Sequence, residues 1–162
     1  MEHPAYSQLR PVSQSVGVVL CDNPSYTALE GTNTWIISAA EDSRSIVVDP
    51  GPEDEGHLNV VHRHAGEVAL ILLTHRHDDH ASGAQRLRQM TGAPIRAFDP
   101  SYCNGAEALQ KGEILTLEGI TPQLEVLHTP GHSPGAVCFS SRPWASSSAA
   151  TPSSPVAPGP PG

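Results

Sequence analysis

The chain has 162 residues, 38% of them hydrophobic, and a formal net charge of −8, which is enough for one domain with a core of its own. Its nine Lys and Arg residues are scattered and aromatics make up only 4%, which argues against constitutive nucleic-acid binding through a basic, aromatic-studded face. No stretch approaches the ~18 apolar residues a membrane span needs, and Met1-Glu2-His3-Pro4 lacks the cationic-then-apolar pattern of a leader, so a soluble, cytoplasmic chain is expected.

Two antiparallel strands are expected at Ser13 to Cys21 and Thr32 to Ser38, with the loop beginning at Asp22-Asn23-Pro24-Ser25 between them. Glu41-Asp42-Ser43 reads as a hairpin turn into Ile46-Val47-Val48, a strand stopped by Asp49-Pro50-Gly51-Pro52 because prolines cannot donate to a ladder. Helical spacing from Glu53 to His64 puts Leu58, Val61 and Ala65 on one side, and the run Val68 to Thr74 then completes a βαβ passage. A second helix is expected from Ala81 to Met90, ended by Thr91-Gly92-Ala93-Pro94. Short strands follow at Ile95 to Phe98, Ile114 to Leu117, Leu124 to His128 and Ala136 to Phe139. The three cysteines, Cys21, Cys103 and Cys138, are odd in number and far apart, so they read as reduced, mostly buried thiols rather than a disulfide or metal clamp.

Chemistry concentrates at Thr74-His75-Arg76-His77-Asp78-Asp79-His80, an H-x-H-x-D-H pattern at the end of a hydrophobic strand. Residues two apart in extended chain point to the same side, so His75 and His77 can converge on one cation while Arg76 turns away. A turn into the following helix would swing Asp79 and His80 toward a second cation. Imidazole and carboxylate are the ligands of catalytic zinc sites, which keep one position open for water. A second strand ends in His128-Thr129-Pro130-Gly131-His132, where Gly131 permits the close turn that aims His132 at the same place. His132 is therefore the candidate third ligand of the first metal, and His128 a strand-end hydrogen-bonding residue.

With Leu29-Glu30-Gly31-Thr32-Asn33-Thr34-Trp35, Ile46-Val47-Val48-Asp49-Pro50-Gly51 and the two histidine motifs in view, the chain resembles the metallo-β-lactamase superfamily, in the subgroup of the β-lactamase-like protein 2 hydrolases. The resemblance spans about Leu20 to Phe139. It implies an α/β (α+β) fold, the N-terminal portion of an αββα sandwich, and a zinc-dependent hydrolase whose activated water attacks an ester, thioester, lactam or phosphodiester. In that pattern His75, His77 and His132 hold one zinc, Asp79 and His80 hold the other, Asp79 orients the attacking water, and Asp49 supports the metal loop from behind. Asp49 reads equally well as a turn-former before Pro50.

The family pattern also calls for a later bridging aspartate and a final histidine, yet no Asp, Glu or His follows His132. From Ser141 to Gly162 the chain is almost wholly Ser, Ala, Pro and Gly, too apolar-poor to offset the entropy of ordering. The expected organisation is a partial domain over 1–140 and a disordered tail over 141–162, with the sequence leaving the family pattern near Ser140 by frameshift or mispredicted gene end. Two zincs per complete site would then fall to one or fewer, and the rival expectation is an inactive remnant. The expected substrate is a small molecule or RNA, and uncovered apolar surface favours self-association.

Overall fold

The computed structural model describes residues 5–38, 44–120 and 122–142. The hairpin turn expected at Glu41-Asp42-Ser43 and the tail from 143 onward lie outside the described residues.

Six strands form one sheet in sequence order: β1 (Leu9–Pro11), β2 (Val16–Leu20), β3 (Asn33–Ser38), β4 (Arg44–Val48), β5 (Glu67–Leu72) and β6 (Ile95–Arg96). The β1 to β4 ladder is antiparallel, and β4, β5 and β6 are parallel neighbours. Between β4 and β5 the chain crosses over through α1 (Glu55–Ala65), the expected βαβ passage, whose first turn is capped by the Asp54 carboxylate accepting from His57 N at 2.6 Å. Satisfying one orphan donor at a helix start in this way stabilises it by about 1 kcal/mol.

Period-two alternation explains why the central strands are apolar on both sides. Val47, Ile71 and Leu73 pack beneath the helices with Leu58, Val61 and Leu87, while Ile46, Val48, Leu70 and Leu72 pack against a second sheet through Leu115, Leu124 and Val126. That second sheet is β7 (Ile114–Leu115), β8 (Gln123–His128) and β9 (Val137–Arg142), antiparallel throughout. The layers among the described residues are helices, six-stranded sheet, three-stranded sheet. At one end the sheets are clamped by Arg96, whose guanidinium donates to both carboxylate oxygens of Glu113 at 2.8 and 3.0 Å and to the carbonyls of Glu107 and Ala108. A second tie between the sheets runs from Val137 N, which donates to Thr74 O at 2.8 Å.

Three sequence expectations need correction. The single helix expected from Ala81 to Met90 is two, α2 (Asp78–Ala81) and α3 (Ala84–Thr91). Gly83 breaks it because this residue packs on the Asp49-Pro52 turn: its N–H donates to Gly51 O at 2.9 Å, and a Cβ there would stand 2.7 Å from Pro52 O. Strand pairing continues past Phe139, with Ser141 opposite Leu124 and Arg142 opposite Gln123, so β9 runs two residues into the segment expected to be tail. Of the cysteines only Cys21 is buried; Cys103 is half-buried and Cys138 exposed. No helix among the described residues is long and apolar enough to cross a membrane.

Candidate metal centre

β5 delivers the chain to Thr74 and His75 at the C-terminal edge of the parallel strands, where α/β sheets bind ligands. His77 stays extended (φ −65°, ψ 143°) and caps α2, so Asp79 and His80 lie on its first turn. From the other sheet the β8–β9 loop brings in His132. That loop is braced by His128, which stacks on Phe98 with ring centroids 4.2 Å apart and planes 10° apart, and donates from Nε2 to Pro134 O at 2.9 Å. His128, the last residue of β8, thus behaves as the expected strand-end hydrogen-bonding residue.

The rings of His75, His77 and His132 converge, with centroids 4.7 Å (His75–His77), 5.0 Å (His75–His132) and 4.6 Å (His77–His132) apart. One nitrogen of each lies within 4.8 Å of the others, the spacing at which three imidazoles can share one cation. The donor set fits. His75 Nε2 is buried and has no hydrogen-bond partner, and a buried nitrogen left unpaired costs ~1–3 kcal/mol unless something occupies its lone pair. Burial, then His80 and the other two rings, hold His75 below the usual histidine range despite Asp49, which keeps the ring in its neutral, metal-ligating form.

Asp49 lies under this cluster, 4% exposed and at a positive φ of 52°. Its Oδ1 accepts from Thr74 N at 2.8 Å, and its Oδ2 accepts from Thr74 Oγ1 at 2.6 Å and from His80 Nδ1 at 2.9 Å. Asp49 is both the turn-former and the support: the left-handed backbone ends β4 while the carboxylate ties Thr74 and His80 together. Burial opposes charge on His80, but the hydrogen bond and charge of Asp49, with Asp79, outweigh it and raise its pKa. Asp79 Oδ2 is 3.5 Å from His80 Nε2, and Asp79 belongs to neither three-residue cluster found among the described residues. In the second such cluster, Asp49, His75 and His80, Asp49 and His80 are already joined by the hydrogen bond just given.

Two residues at the centre went unremarked in the sequence. Thr74 has its N–H, hydroxyl and carbonyl all engaged, and Ser133 is 2% exposed with an unpartnered Oγ. The sequence signal for Thr74 was its place between an apolar strand and His75; for Ser133 there was none.

Comparison with known proteins decides the family: residues 28–142 match the metallo-β-lactamase superfamily. The chain belongs to that superfamily. Among curated relatives of this metallo-β-lactamase-fold chain, a hydroxyacylglutathione hydrolase of Pectobacterium carotovorum is 31% identical over 124 residues, covering 74% of the chain and 47% of the relative. An atrochrysone carboxyl ACP thioesterase of Pseudocercospora fijiensis is 33% identical over 148 residues, covering 84% and 40%. The FEZ-1 metallo-β-lactamase from Legionella gormanii shares the fold, with a TM-score of 0.65 at 18% identity over 87% of this chain and 59% of that one. The chain spans less than half the length of the curated relatives it matches.

Proposed function

We propose that this chain is the metal-holding part of a zinc-dependent hydrolase acting on a small acyl substrate, a thioester foremost. The reading rests on one observation, the convergence of His75, His77 and His132 around the unpaired, buried Nε2 of His75. Thioester hydrolases among the relatives, by name, point to the bond cleaved, and a charge of −8 disfavours a polyanionic RNA substrate. Zinc bound by such histidines brings the pKa of water to about 7 and so supplies a nucleophile at neutral pH. The chain's own residues bring the three imidazoles together, and burial holds the His75 ring neutral. Asp79, beside His80 Nε2, would orient the attacking water; as the water oxygen bonds to the acyl carbon the C–S bond breaks, and the proton the water gives up passes to the departing thiolate.

A second reading, an inactive chain holding a single zinc, is favoured by one observation: among the described residues Asp79 joins no cluster of three ligand groups, and His80 joins only one whose Asp49 is already hydrogen-bonded to it. Elemental analysis of chelator-free protein, run beside a thioester-cleavage assay, separates the two. A single zinc per chain, lost in a His75→Ala/His77→Ala variant and on EDTA treatment, is the expected result. Zinc-free protein, or zinc unaffected by the double substitution, would remove the metal role altogether, while two zincs with chelator-sensitive thioester cleavage would sink the inactive reading.

A further inference from the structure

We infer that Thr74 is a positioning residue, whose hydroxyl sets the tautomer of His75 and so points the Nε2 lone pair at the metal. The argument is proton accounting. A carboxylate has no proton to give, and a threonine hydroxyl has one. Thr74 Oγ1 is 2.6 Å from Asp49 Oδ2, so that proton is spent on the carboxylate. The same hydroxyl is 2.9 Å from His75 Nδ1, and with its hydrogen committed it can only accept. His75 Nδ1 therefore carries the ring proton and Nε2 carries the lone pair, and Nε2 is the atom left buried without a partner.

Asp49 imposes the same form on His80 directly, because His80 Nδ1, 2.9 Å from Asp49 Oδ2, must donate. One carboxylate thus orients histidines assigned to both halves of the centre, through a hydroxyl on one side and without an intermediary on the other. Thr74 has little freedom to abandon the relay. Its N–H donates to Asp49 Oδ1 and its carbonyl accepts from Val137 N, each at 2.8 Å, so both sheets hold it.

The zinc arm of this inference rests on the metal role proposed for His75; the tautomer arm does not. In metal-free protein labelled with 15N-histidine, long-range proton–nitrogen spectra report which ring nitrogen is protonated, with the His75 signals assigned by their loss in His75→Gln. Wild type and Thr74→Ser should both show His75 protonated at Nδ1. Thr74→Val, which keeps the shape and removes the hydroxyl, should lose that form and weaken zinc binding by roughly ten- to a hundredfold, the usual effect of deleting a partner behind a metal-bound histidine. Should Thr74→Val fail to fold, Thr74→Ala serves with the same expectation.

Nδ1 protonation and a zinc dissociation constant unchanged in the hydroxyl-free variants would overturn the inference, as would failure of Thr74→Ser to restore both. A wild type that binds no zinc but shows the expected tautomer shift supports the Thr74 relay and removes the metal reading instead.

Discussion

His57 is 4% exposed on α1 and illustrates how the site's supports extend beyond its ligands. Thr34 Oγ1 donates to Asp49 O at 2.7 Å, so His57 Nε2, 2.8 Å from that hydroxyl, is the donor to it, and His57 Nδ1 is left buried without a partner. Burial pushes the ring down to about 4, against a small opposing pull from Asp54. An unfolded chain takes up this proton below its ordinary value, whereas the native ring refuses it until about pH 4. Stability from His57 is therefore complete above about pH 6.5 and is lost as pH falls toward 4, by ~2 kcal/mol between pH 7 and pH 5. Urea unfolding at those two pH values should show a loss that shrinks by this amount in His57→Gln. An equal loss in both proteins would mean that His57 is not the group responsible.

At the scale of elements, the break between α2 and α3 matters more than either helix. A Cβ at Gly83 would meet Pro52 O at 2.7 Å and Gly51 O at 2.9 Å, both backbone atoms that cannot swing aside. Gly83→Ala should cost ~1–3 kcal/mol and lower the melting temperature. Because α2 carries Asp79 and His80, it should also disturb the His80–Asp49 bond. An unchanged melting temperature would show that the turn yields easily. The parallel strands, α1 and the second sheet's strands are legible in the sequence, since apolar alternation and the Pro-Gly stops are local signals. Gly83 could not be read that way: inside a helix-periodic stretch a glycine costs only about 1 kcal/mol, and what ends the helix is a backbone from another part of the chain. The last three residues of β9 are similar, because Ser140, Ser141 and Arg142 carry no strand signal and are ordered by pairing with Glu125, Leu124 and Gln123.

Across the whole molecule, six strands face three, so part of the inner face of the larger sheet has no cover among the described residues. A cleft of about 390 Å³ opens there, lined by Val16, Trp35 and Ile37 on one sheet and Leu124, Val137 and Phe139 on the other. On the outer face of the smaller sheet Ile114 and Leu127 are exposed. Exposed apolar surface of this kind drives association, and among the described residues β9 is an edge strand of its sheet. Light scattering coupled to size exclusion should give a mass that rises with concentration, and a Phe139→Ser variant should reduce the rise. A monomer mass at every concentration would end this expectation.

The sequence by itself determined the family, the βαβ frame and the candidate ligands His75, His77, Asp79, His80 and His132, because these depend on residue type and short-range spacing. Only the tertiary structure decided how those residues are held. Asp49 lies 25 residues from Thr74 and 31 from His80 in the chain, and no local periodicity records which carboxylate reaches which ring. Hydrogen-bond direction, ring tautomer and the buried, unpaired Nε2 of His75 arise from contacts between β4, β5 and α2, and those contacts exist only once the sheet has formed.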